Sequence, residues 1–198
     1  MTSLRSTVLA ACLALAACAS GQTVATPVLP ADMYPVFVQP GAAPMTVDEH
    51  ALYDAGIVLG NNGPRPVNPQ QAAHAIASVE YLAGALNSAP YWIGVDALAA
   101  ATMVQARQET RAVIGARPDA DGQSMVNALV AASAAKTPDQ MIAALNTPDF
   151  PDGGAATYAR IKAIDQLPIT RHAIPMAATA RYYLNSPNDN GPMMIIPP

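Results

Sequence analysis

The chain is poor in the residues that most often declare a function. Its 198 residues hold two cysteines, three histidines, one tryptophan and two phenylalanines. Charged residues make up only 12%, low for a soluble domain. Two cysteines, Cys12 and Cys18, are too few for the disulfide framework of a small secreted scaffold. His50, His74 and His172 stand far from one another and from either cysteine, so the ligand pairs of a metal site are missing and no metal or other cofactor is expected. Ten basic against fourteen acidic residues give a net charge of −4. No Lys/Arg cluster or basic-aromatic interleaving appears, which argues against nucleic acid as a partner. No apolar run reaches the roughly 20 residues that span a bilayer. There is no Gly-rich phosphate loop and no Gly-x-Ser-x-Gly elbow. No segment alternates apolar and polar residues as a half-buried strand does.

What is present begins at the amino terminus. Met1 to Arg5 carries a basic side chain, and Val8 to Ala17 is an uninterrupted apolar stretch followed by small residues. This is the pattern of a secretory signal peptide. Two cleavage readings compete. Ala17-Cys18-Ala19 fits a small-x-small site, with release before Ser20. Leu15-Ala16-Ala17-Cys18 resembles the lipobox of bacterial lipoprotein precursors, and the resemblance covers residues 1–18 only. It implies removal of residues 1–17, acylation of Cys18, and attachment to membrane lipid through that residue. Ala19 behind the cysteine further implies the outer membrane, facing the periplasm. Cysteine arithmetic favours this reading, because cleavage before Cys18 leaves a single cysteine that cannot pair internally. Three acyl chains, at about 0.8 kcal/mol per buried methylene, would hold the protein without a spanning helix. The mature chain then has nine basic residues (ten minus Arg5) against fourteen acidic, a net of −5.

Residues 18–45 are rich in proline and nearly free of charge. Repeated proline denies both helix and central strand, so the segment reads as a tether. At about 3.1 Å per residue it could reach roughly 80 Å, unless an apolar piece such as 33–38 docks on the body.

From Thr46 onward helix signals repeat. Thr46-Val-Asp-Glu49 is a capping box, and Asn68-Pro69 and Thr137-Pro138 are caps followed by proline in the first turn. Residues 91–114 read as the longest helix, and Met125 to Lys136 as a central one. Shorter helices are expected through Leu145, around 155–165, and between Ile169 and Leu184, the last disturbed by Pro175. The fold class is all-α, an irregular bundle of about five to seven helices over residues 46–185. A turn-rich tail, 186–198, carries Met193 to Ile196, a candidate docking segment that is equally able to pack on its own domain.

Catalytic patterns are weak. Ser133-Ala-Ala-Lys136 matches the Ser-x-x-Lys of penicillin-binding proteins and serine β-lactamases, but the Ser-x-Asn and Lys-Thr-Gly elements and the sheet they need are missing. It reads instead as a helix end with a cation near its carbonyls. A cell-wall glycosidase would need carboxylates with separated pKa values. Glu49 is explained as a cap, Glu80 lies beside Tyr81, and Glu109 between Arg107 and Arg111 reads as a solvated charged face. The chain is therefore read as non-enzymatic. Tyr91-Trp92 and Tyr182-Tyr183 form aromatic pairs at helix ends. With His74 and Tyr81 they are the candidate ligand or partner contacts, if the fold brings them together. The first reading is an envelope lipoprotein whose helical domain binds a partner protein or supports an assembly. The alternative is a periplasmic small-ligand-binding or cell-wall-acting domain, which requires His74, Glu80 or Tyr81 to converge in a closed pocket.

Overall fold

A computed structural model describes residues 25–30, 33, 45–60, 67–165 and 167–185. The signal segment, Cys18 and the 186–198 tail lie outside the described residues. Among those described the regular secondary structure is all helical: α1 Val47–Leu59, α2 Pro69–Ser88, α3 Ala97–Ile114, α4 Gly122–Ser133, α5 Pro138–Ala144, α6 Gly153–Lys162 and α7 Pro168–Asn185, with a 3₁₀ turn at Pro90–Trp92.

The helix starts follow their caps. The Thr46 hydroxyl accepts the Glu49 amide at 3.3 Å, and Glu49 accepts the Thr46 amide at 2.7 Å. Asn68 Oδ1 accepts from the amides of Gln70 and Gln71, and Thr137 accepts from Gln140. Each bond satisfies an amide that has no partner inside its own helix.

Two expectations are corrected. The stretch 91–114 is not one helix: Gly94, at φ +90°, turns the chain after the 3₁₀ segment, and α3 starts behind the Asp96 cap. Among the described residues the longest helix is α2, with 20 residues, and α2 rather than α4 is central. It packs against α1, α3, α4 and α6, whereas α4 rests on α2 and α5, and α7 on α3 and α1. The layers run from α4 through α2 to α1 and α3, then to α7. The polar letters of α2 hide its burial in the sequence, because each is paired inside. Ser78, fully buried, donates to the His74 carbonyl, Glu80 is buried against arginines, and Tyr81 bonds Asp48.

Part of the N-terminal segment is packed on the body. Pro27, Leu29 and Met33 are buried, and Leu29 and Met33 join the core. Gln123 at the start of α4 clasps Val28 twice, accepting its amide at 2.6 Å and donating to its carbonyl at 3.0 Å. The Thr26 hydroxyl bonds Ser88 at the end of α2. The strap crosses α2 at Gly84, where a Cβ would stand 2.5 Å from Thr26 Cα and 2.7 Å from the Ala25 carbonyl oxygen. A mid-helix glycine costs about 0.5–1 kcal/mol relative to alanine, and here the close backbone crossing explains it. The reading of 18–45 as a free tether is corrected over these residues: Met33 belongs to the piece named as able to dock, and the packed segment begins eight residues earlier, at Ala25.

Candidate functional site

α3 and α7 run antiparallel. At one end, Glu109 of α3 receives the amides of Ile169 and Thr170 at 3.1 and 2.7 Å and the Thr170 hydroxyl at 2.7 Å. A carboxylate from one helix thereby caps the N-terminus of another, where the macrodipole favours negative charge. Toward the other end the helices leave an open groove of about 420 Å³, lined by Ala99, Pro175, Met176, Ala180 and the Tyr183 ring, with Asp96, His172 and Thr179 supplying polar atoms. Pro175 sits inside α7 without ending it. It has no amide for the Arg171 carbonyl, and it presents its ring to the groove. Other apolar side chains of the same segments are exposed. Leu98 is 61% exposed, Ile93 79%, and Tyr182 and Tyr183 70% each. The two tyrosine rings meet edge to face, with centroids 5.8 Å apart.

The sequence-derived candidates separate into three places. Tyr183 lines the groove, with Tyr182 beside it. Tyr81 and Trp92 belong to a buried polar cluster instead. The Tyr81 hydroxyl donates to Asp48 at 2.6 Å. Trp92 is 2% exposed, and the Arg181 guanidinium lies 5.4 Å from its ring centroid. Asp48 is 3% exposed, and burial pushes its carboxyl above the ordinary 3.8, opposed by Tyr81, Arg181 and the Trp92 indole. That indole N–H has no bond of good geometry among the described residues, so it acts on Asp48 through proximity. Four segments meet here (α1, α2, the 3₁₀ turn and α7), and the cluster fastens them. Tyr91 stands in the same turn, but its side chain lies outside the described residues. His74 occupies a third place, two turns back along α2, 3.5 Å from Asp54 of α1. Burial lowers its pKa below 6.5, with Asp54 opposing.

His74, Glu80 and Tyr81 therefore do not share a pocket. Glu80 is fully buried in an ion cluster. Arg111 donates to it through Nε at 2.6 Å and Nη2 at 2.8 Å, and Arg107 through Nε at 2.9 Å. The remaining Arg111 nitrogen, Nη1, bonds the Pro118 and Ala120 carbonyls, both at 2.9 Å. The solvated face expected around Glu109 is thus corrected. Arg111 is 2% exposed, Arg107 reaches Glu80, and Glu109 caps α7. A second depression of about 370 Å³ lies between α5 and α6, beside Asp139, Asn146 and Asp152, and Asp152 is already paired with Arg160 at 2.6 Å. Ser133 is the last residue of α4 and donates to the Val130 carbonyl at 2.8 Å. No group of three or more His, Cys, Asp or Glu side chains placed to hold a metal occurs among the described residues.

Sequence reasoning missed the groove because its walls are ordinary apolar letters on two helices that begin 71 positions apart, at Ala97 and Pro168. The spacing of Ala99 in α3 and of Met176, Ala180 and Tyr183 in α7 was the available signal. Comparison with protein-family models, curated proteins and solved structures finds no match.

Proposed function

We propose that the protein is a bacterial envelope lipoprotein, anchored through acylated Cys18, whose helical body binds an apolar segment of another envelope protein along the α3–α7 groove. The observation that carries the binding role is the extent of apolar surface. The open groove is lined by Ala99, Met176, Ala180 and Tyr183, and their chain neighbours Leu98 and Tyr182 are exposed apolar side chains, so the surface on offer extends beyond the groove itself. Scattered exposed apolar residues are ordinary, but a contiguous patch rimmed by polar groups marks an interaction site. An amphipathic helix laid between two helices is the matching mode of recognition, with side chains spaced along one face entering the groove. Tyrosines at the rim suit such a contact, since they bury large rings at low entropic cost and keep a hydroxyl for water.

A photo-crosslinking residue at Leu98 or Tyr183 tests this in intact cells. The expected result is one discrete adduct, lost when Met176→Glu places a charge in the groove while the circular dichroism spectrum stays unchanged. An adduct equally strong with the probe on α5, or undiminished by Met176→Glu, would refute the groove as the binding surface.

A second reading, capture of a small apolar ligand, is favoured by volume, because about 420 Å³ falls within the usual 300–1,000 Å³ range of ligand pockets. It predicts tight binding of an isolated compound, with Ile93 and Leu98 dispensable.

A further inference from the structure

We propose that the strap makes the tether short and thereby orients the body, with the α4 face toward the lipid and the α3–α7 groove turned away from it. The inference rests on the acyl anchor at Cys18. A tether extending to residue 45 would let the body tumble at any angle. The observed clasp removes most of that length. Val28 is held by two hydrogen bonds to Gln123, Thr26 bonds Ser88, and Leu29 and Met33 are buried. Only the seven steps from Cys18 to Ala25 lie upstream of it, and these span about 25 Å at full extension. A body of this size has a radius of gyration of about 14 Å, which for a uniform sphere is a diameter of about 37 Å. The leash is therefore shorter than the object it holds, and the side where it emerges must stay near the membrane.

That side is defined by Gly84 and Ser88 of α2 and by Gln123 and Asn127 of α4. Asn127 accepts a bond from Gln123 at 3.0 Å, so it stands one turn from the clasp. The surrounding exposed side chains, Asn87, Ser88, Asp121 and Asn127, carry no positive charge, and Arg107, which reaches Gly122 beside Pro27, is already paired with Glu80, which leaves tether length as the orienting cause. α7 lies across the layer order from α4, so its outer face is the one presented outward, where a partner segment can reach the groove.

The test uses full-length acylated protein in vesicles of phosphatidylethanolamine and phosphatidylglycerol carrying an acceptor dye on a lipid headgroup. Processing removes Cys12, and acylation blocks Cys18, so an introduced cysteine takes the donor dye alone. Donors are placed at Asn127→Cys and Ala178→Cys, both exposed positions. Energy transfer is expected to be at least about twofold stronger from 127 than from 178, given the width of the body. Gly84→Leu, which fills the space occupied by Thr26, and Gln123→Ala, which removes the clasp of Val28, should each bring the two efficiencies together with unchanged helical circular dichroism. Equal transfer in the unmodified background, or an asymmetry that survives both variants, overturns the orientation. Cys18→Ser protein that stays with the vesicles overturns the anchor instead, so the two failures are told apart.

Discussion

Replacing Glu80 by alanine should be among the most damaging single changes in this protein. Glu80 is fully buried and is the sole carboxylate in direct contact with Arg107 and Arg111 among the described residues. Arg107, with its side chain 14% exposed, can turn toward water, whereas Arg111, at 3%, cannot. Its two carbonyl bonds to Pro118 and Ala120 hold it in place, so the variant leaves a buried cation without its counter-charge. Breaking a buried pair from one side typically costs about 3–5 kcal/mol. The body, residues 46–185, should unfold with an entropy of about 0.29 kcal/mol per kelvin, from roughly 2.1 cal/mol/K per residue. The melting midpoint should then fall by about 10–17 °C, measured by circular dichroism at 222 nm. Glu80→Gln should fall between wild type and alanine, because it retains an acceptor but not the charge. Glu80→Leu combined with Arg111→Met and Arg107→Leu should recover much of the loss, since well-packed apolar replacements of buried ion clusters are often neutral or better. A midpoint within about 3 °C of wild type for Glu80→Ala would refute the reasoning, because a loss that small corresponds to about 1 kcal/mol, the scale of an exposed pair.

Other outcomes follow from the same structure. Asp48 has a folded pKa raised above 3.8, so the folded state binds the proton more readily than the unfolded one. Its contribution to stability falls as pH rises from about 3.8 through the folded value. Asp48→Asn keeps an acceptor for Tyr81 and should flatten that dependence in thermal melts between pH 3.5 and 6; an unchanged profile would contradict burial as the cause. His74 has the opposite sign. Its folded pKa lies below 6.5, the unfolded state binds more protons in the window beneath 6.5, and stability should rise with pH across it. Melts of His74→Gln should lose that slope, and retention of the full slope would assign it elsewhere. Glu109→Ala removes three bonds at the start of α7 and should cost about 1–2 kcal/mol, or roughly 3–7 °C. Hydrogen exchange should quicken first at Ile169 and Thr170, and unchanged protection there would discount the cap.

The helices were legible where a local rule acts. Thr46, Asn68 and Thr137 announce their helices through side chains that bond amides two or three residues away, and a single sequence contains both partners. The break at Gly94 was legible in principle, as a glycine ahead of Asp96, but the apolar run through Tyr91, Trp92 and Ile93 masked it. The central place of α2 was not legible. Glu80 and Tyr81 are polar by composition, and only partners 31 and 33 residues away, Arg111 and Asp48, make their burial affordable. Glu109 carries the same lesson: beside two arginines in sequence, it spends its oxygens on the amides of α7, 60 and 61 residues downstream. The groove was least visible of all, since it exists only between two helices that meet in the fold. Gly84 gave a hint that periodicity could not interpret, because a glycine in a helix signals a close neighbour without naming it.

The direct test of the central claim is the intact mass of protein extracted from bacterial membranes. The account predicts residues 18–198 carrying a diacylglycerol on the Cys18 sulfur and a fatty acyl group on the new amino terminus. A mass matching an unmodified chain that begins at Ser20, or one that retains Met1, would contradict it.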